Sequence, residues 1–284
     1  PLLSFNLTTI DPVDTDNDSI FDTVEYMYGT NPNSNDTDGD GILDSMEVIY
    51  GLNPLNNNDA NQDFDGDGVL NIDEIELLMN IFDSDTDNDG LPDGWEYSQG
   101  TDPVYRDSSK DYDNDGLTNI AEYQYGTDPK NPDSDNDNMP DGWEVNYGLD
   151  PLSNDASLDP DEDGLSNLGE FQCGTNPVAS DTDGDGIPDG WEINYGLDPL
   201  LNDSEEDIDG DGANNLMEYM YGTDPTNSDT DGDGVDDYTE IKYASNPLDP
   251  ENYPIFIKYW YLFVASAVLI VLGIVMIIRR KKAH

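Results

Sequence analysis

A twelve-residue pattern, Asp-x-Asp-x-Asp-x-apolar-x-(Asp or Asn)-x-x-Glu, occurs ten times in this chain of 284 residues and constrains its fold more than any other feature. The copies begin at Asp14, Asp36, Asp63, Asp85, Asp111, Asp133, Asp159, Asp181, Asp207 and Asp229. Successive starts alternate between steps of 22 residues and steps of 26 or 27, so the period is a two-loop unit of 48 or 49 residues, present five times. A disordered acidic chain keeps no such register.

The residue types at each place are oxygen donors. Position three holds Asp16, Asp38, Asp65, Asp87, Asp113, Asp135, Asp161, Asp183, Asp209 and Asp231, and position five Asp18, Asp40, Asp67, Asp89, Asp115, Asp137, Asp163, Asp185, Asp211 and Asp233. Position nine alternates, with Asn71, Asn119, Asn167 and Asn215 opening units two to five and Asp44, Asp93, Asp141, Asp189 and Asp237 in the partner loops. Asp22 in the first loop departs from that rule. Position twelve is Glu25, Glu47, Glu74, Glu96, Glu122, Glu144, Glu170, Glu192, Glu218 or Glu240. Calcium takes six to eight hard oxygen ligands, and a loop of this length supplies them from positions 1, 3, 5, 7 (a carbonyl), 9 and 12. In DTDGDGIPDGWE at 181–192 these are Asp181, Asp183, Asp185, the carbonyl of Ile187, Asp189 and Glu192. Glycine at position six permits the sharp turn in eight copies; Ser19 and Asn138 replace it, and serine suits left-handed backbone less well, which makes the first loop the weakest site.

Charge supports this reading. Acidic residues number 65 against 9 basic, a net charge of −56, and 46 of the 65 fall at ligand positions. Nucleic acid is excluded as a partner, because binding it requires a basic surface. About ten Ca²⁺ ions are expected instead. Cys173 is the single cysteine, so no disulfide within the chain can staple a structure with so little core.

The 22-residue step leaves ten residues between one Glu and the next Asp, too few for the paired helices of an EF-hand, so the loop is EF-hand-like in sequence alone. What fits is a helix of about two turns, ended by Gly29, Gly51, Gly100, Gly126, Gly148, Gly174, Gly196 or Gly222, with Leu78 and Ala244 in the other two places. Asn-Pro or Asp-Pro follows in nine copies and marks a turn. The apolar residues at position seven, those just after the Glu, and aromatics such as Tyr28, Tyr125, Tyr221, Trp95 and Trp191 are expected to form the core. The third copy, EIELLMNIFDS at 74–84, is richer in apolar residues and suggests a longer helix. The fold class expected is an irregular, elongated tandem repeat of loop plus short α-helix, built by calcium, with almost no β-structure.

DTDGDGIPDGWE, EYMYGTDP and YGLDPL resemble the thrombospondin type 3 repeats of prokaryotic surface proteins, over about residues 14–250. The resemblance implies loops wrapped around calcium ions in an elongated array that serves as a spacer or adhesive stalk.

The rest of the chain suggests an anchor. Residues 1–13 read as the end of an upstream segment, 14–250 as the ten loops, 251–258 as a juxtamembrane linker and 259–278 as one transmembrane helix of uncharged, mostly apolar residues. A basic tail, 279–284, follows and is expected in the cytoplasm, with the amino terminus outside. A cleaved wall-sorting signal has the same layout, but no LPxTG motif precedes the segment. The sole histidine, His284, stands in the basic tail and the sole cysteine at a packing position, so neither an enzyme nor a small-molecule substrate is expected. The function expected is a calcium-stiffened extracellular stalk, cell-surface spacer or cell-adhesion region of a single-pass protein of the cell membrane. The alternative is a receptor whose repeats recognise a surface protein or glycan.

Overall fold

The computed structural model describes residues 13–252, together with 254, 259, 264, 266–271 and 274–275. Residues 13–252 hold ten short helices and no strand among those described: α1 (Asp22–Tyr28), α2 (Asp44–Tyr50), α3 (Asn71–Leu77), α4 (Asp93–Gln99), α5 (Asn119–Tyr125), α6 (Asp141–Tyr147), α7 (Asn167–Cys173), α8 (Asp189–Tyr195), α9 (Asn215–Tyr221) and α10 (Asp237–Lys242). Every helix starts on position nine of its loop and carries the loop's Glu as its fourth residue. Acids in the first turn suit the positive end of the helix dipole.

Each stop is equally local. The residue four places after the Glu takes a left-handed conformation, with φ from 74° to 87° at the eight glycines. Leu78 and Ala244 adopt it too, at φ 66° and 57°. The next helix-ending device is an Asx turn in all ten copies. The side-chain oxygen of Asn31, Asn53, Asn80, Asp102, Asp128, Asp150, Asn176, Asp198, Asp224 or Asn246 accepts from the backbone N–H two residues on. The Asx residues are thus turn formers, Asn80 included, although no proline follows it.

The chain forms two compact units, Pro1–Asn136 with Pro140–Asn146 and Asp150–Asn154, and Asp137–Met139 with Tyr147–Leu149 and Asp155–His284. In the first, position seven is buried at Ile20, Ile42, Val69, Leu91 and Leu117, and Ile42 packs with Leu52, Ala60, Ile75 and Ile81. In the second, Met139, Ile187, Ala213 and Val235 are buried at the same place, while Leu165 is half-buried. Position seven is core, as its apolar pattern predicts.

Three expectations are corrected. Most tyrosines of the helices are not core: Tyr26, Tyr28, Tyr97, Tyr125 and Tyr221 are exposed, Trp95 and Trp191 are half-buried, and Tyr50 alone of those named packs against the Ile42 cluster. A seven-residue helix has one inward face, which the fully buried Glu largely fills; at 100° per residue most of its successors turn outward, Ile75 after Glu74 being an exception. The apolar 74–84 segment makes no longer helix, because α3 stops at the left-handed Leu78 after the usual seven residues. Finally, no helix among the described residues is long and apolar enough to cross a membrane, so the transmembrane helix expected at 259–278 is not found among them. Half of 259–278, residues 1–12, most of 251–258 and all of the basic tail lie outside the described residues.

Candidate metal centre

Each loop is wound by its own aspartates. In most loops position one accepts backbone hydrogen bonds from positions four and six, as Asp36 does from Gly39 (2.7 Å) and Gly41 (3.2 Å); Asp85 and Asp159 keep the bond from position six. Position five accepts from position seven, as Asp40 does from Ile42 at 3.0 Å, and position three commonly accepts from position five, as Asp38 does from Asp40 at 3.3 Å, whereas both oxygens of Asp87 and Asp161 are unpaired. Such a winding needs left-handed backbone at positions four and six alike. Gly39 and Gly41 supply it in the second loop, Asn88 and Gly90 in the fourth, and Glu162 and Gly164 in the seventh. Ser19 and Asn138 adopt it at φ 83° and 75°, so the first loop is wound like the rest.

Winding points the remaining oxygens inward. Ligand oxygens of Asp14, Asp16 and Asp18 lie within 4.8 Å of one another, and so do those of Asp36, Asp38 and Asp40, of Asp63, Asp65 and Asp67, and of Asp85, Asp87 and Asp89. The Glu completes each group from the helix. Glu25, Glu47, Glu74, Glu122, Glu170, Glu192, Glu218 and Glu240 are buried with both carboxylate oxygens unpaired, and Oδ2 of Asp16, Asp38, Asp65, Asp113, Asp183, Asp209 and Asp231 is buried and unpaired beside them. A buried, unpaired carboxylate is costly, and several together call for a bound cation or for protons. The donor set is hard oxygen throughout, which fits calcium. Asp133, Asp135, Asp141 and Glu144 of the sixth loop belong to the first unit, and Asp137 to the second.

Proton affinities carry the same strain. Burial, then the charges of Asp38 and Asp40, raises Glu47 to about 8. Burial, then Asp89 and Asp107, takes Glu96 to about 9. Glu74, Glu122, Glu192 and Glu218 reach about 8 for the same reasons, with burial first in each.

Position nine is placed differently from the other expected ligands. Both oxygens of Asp22, Asp44, Asp93, Asp141, Asp189 and Asp237 accept hydrogen bonds from position two, from its backbone N–H and from its Thr or Ser hydroxyl. Asn71, Asn119, Asn167 and Asn215 instead donate through Nδ2 to the carbonyls of Asp59, Asp107, Asp155 and Asp203, at 2.7 to 3.1 Å. Position nine thus fastens the loop. Its backbone N–H also closes each loop on the carbonyl just before it, as Asp189 does on Ser180 at 3.1 Å.

Two residue classes outside the expected set take part. One is the position-two hydroxyl; the other is the aspartate four residues before loops three, five, seven and nine, which occurs only in the long connectors. Its signal in the sequence was Asp-Ala or Asp-Ser at 59–60, 107–108, 155–156 and 203–204.

A sequence profile of the bacterial TSP3 repeat matches residues 36–57, 85–104, 111–132, 133–154, 159–179, 181–202, 207–228 and 229–250. No curated protein and no solved structure matches the chain. The first and third loops fall outside the matched stretches, yet their aspartates converge as the others do. Matched over more than half of its length, and wound around inward-facing carboxylates in each matched stretch that a single unit contains, the chain belongs to the bacterial TSP3 repeat family, whose repeats bind calcium.

Proposed function

We propose that calcium ions, about one per loop and ten in all, fold the chain into an extracellular spacer that carries no catalytic activity. The observation that supports this is the recurrence, in eight of the loops, of a buried Glu with both oxygens unpaired beside aspartate oxygens in the same state. Bound calcium supplies the positive charge and the coordination positions that these oxygens lack. The chain's own residues do the remainder: positions one and five wind the loop, position nine fastens it, and positions three and twelve present oxygens to the ion, as Asp38 and Glu47 do in the second loop. Site formation and folding are then one event. Extracellular fluid, where calcium is plentiful, is the compartment in which such a fold persists.

Circular dichroism and ion counting by native mass spectrometry on the full chain test this. Near ten ions and a large loss of helix signal on chelation are expected. Fewer than about five ions, or a spectrum indifferent to chelator, overturns it.

The exposed tyrosines favour a second reading, a receptor whose repeats hold a protein or glycan. Partner binding that is lost on replacing Tyr97 and Tyr125, and unaffected by adding repeat units, would establish that role over the spacer.

A further inference from the structure

The connector after the second loop holds an acid that belongs to no twelve-residue pattern. Asp59 is 4% exposed, and its Oδ2 accepts from the backbone N–H of Asn53 at 3.0 Å. Its Oδ1 is buried without a hydrogen-bond partner. A ligand oxygen of Asp59 lies within 4.8 Å of one on Asp40 and one on Glu47, and Glu47 is itself fully buried with neither oxygen paired. The first basic residue of the chain is Arg106, so no side chain of residues 1–105 offers these three carboxylates a positive charge. Like charges at this separation repel by kilocalories in a partly buried setting, and a divalent cation is the group that reverses the sign.

We propose that Asp59 is a calcium ligand of the second loop, joining Asp36, Asp38, Asp40 and Glu47 from the connector rather than from the loop itself. This rests on the calcium reading above. It gives the ion a second task, because the backbone of the same connector starts the next helix. The carbonyl of Asp59 accepts from Nδ2 of Asn71 at 2.7 Å, and the carbonyl of Ala60 accepts from the N–H of Ile72 at 3.1 Å. An ion held by Asp59 therefore fixes where α3 begins and couples filling of the second loop to assembly of the third. Asp107 and Asp203 stand at the equivalent place beside Glu96 and Glu192. Their Oδ1 atoms accept from Asn119 and Asn215, at 3.2 and 3.3 Å, whereas Asn71 bonds only the backbone of Asp59 and leaves its Oδ1 to the metal.

Asp59→Asn in the full chain tests the assignment, since asparagine keeps the volume and an acceptor for Asn53. Native mass spectrometry at stepped free calcium counts the ions, and circular dichroism follows the fold. One ion fewer than wild type is expected at the calcium level that just saturates wild type, with that ion recovered only at about tenfold or more free calcium. Asp73→Asn makes the same charge change outside every ligand position and should leave the count intact. Equal counts and midpoints for Asp59→Asn and wild type, or an equal loss in Asp73→Asn, overturn the proposal. Should Asp59→Asn lose helix signal even in saturating calcium, Asp59→Glu decides: a restored ion supports a ligand role, and a missing one overturns it. A wild-type chain that binds no calcium would instead sink the proposed function as a whole.

Discussion

Thr37 holds Asp44 by both of its donors, the backbone N–H reaching Oδ1 at 2.8 Å and the hydroxyl reaching Oδ2 at 2.7 Å. This pair explains the alternation of Asp and Asn at position nine. Wherever position two is Thr or Ser, position nine is Asp; wherever position two is Phe64, Tyr112, Pro160 or Ile208, it is Asn. The first loop has Thr15 and therefore Asp22, so it obeys the rule that it seemed to break. A carboxylate needs donors, and a hydroxyl provides one; an amide brings its own and uses it on the preceding connector.

The coupling is measurable. Thr182→Val and Asp189→Asn should each lower the unfolding free energy in saturating calcium by about 1 kcal/mol. Thr182 gives its N–H and hydroxyl to Asp189 at 2.8 and 2.6 Å, so the double variant should cost clearly less than the sum. Strict additivity in denaturant titrations would mean that the two side chains do not act as one clamp.

The convergence of the aspartates at positions one, three and five with the Glu at twelve was legible in the sequence, because a loop that gathers carboxylates imposes them as spacing within one short window. Asp59 was not, since it lies outside that window and is brought in by the connector's turn. The tyrosines misled for a related reason. Their fixed place in the repeat marked a packing role, but the inward face of each helix belongs to a carboxylate, and the aromatics pair on the outside, as Trp95 does with Tyr123 at 5.3 Å and Trp191 with Tyr219 at 5.5 Å. Hydropathy alone could not foresee a core made of Glu.

Acid should favour the fold of the metal-free chain. Glu192 sits at about 8 when folded, against 4.5 as its ordinary value, so between those pH values the folded chain keeps protons that the unfolded chain has released. Unfolding then sheds protons, and stability falls as pH rises across that window. Helix content in excess chelator should be higher at pH 5 than at pH 9. Calcium displaces the same protons, so its apparent affinity should weaken as pH drops from 8 to 5. A metal-free chain more helical at pH 9, or a calcium affinity flat across the range, contradicts the placement of these carboxylates.

Leu78 and Ala244 occupy the left-handed cap that glycine fills elsewhere, at φ 66° and 57°. Both are exposed, so replacement forfeits little packing. Leu78→Gly and Ala244→Gly should each raise the unfolding free energy in saturating calcium by about 1 kcal/mol, the strain of an L-residue in that region. A fall in the denaturation midpoint for both would show that the side chains contribute more than the backbone loses.

Gly190 follows the position-nine Asp189 and sits directly on the preceding odd-numbered loop. Its N–H donates to Oδ2 of Asp163 at 2.8 Å, and a β-carbon added there would stand 2.5 Å from the carbonyl oxygen of Asp163. Backbone atoms cannot swing aside as a side chain does. Asp163 is also position five of its own loop, so any shift made to admit a methyl group moves a candidate ligand as well. Gly94 meets Asp67 in the same way, with 2.1 Å left for a β-carbon. The tenth loop has Tyr238 here and still makes the bond, to Asp211 at 2.9 Å, so the backbone has a conformation that admits a side chain at this place. Gly190→Ala should therefore destabilise the calcium-loaded chain by roughly 1–3 kcal/mol without unfolding it. It should also weaken ion binding at two neighbouring loops, the one that contains it and the one it touches. Thermal melts and ion counts that match wild type would show that consecutive loops are packed too loosely to influence each other.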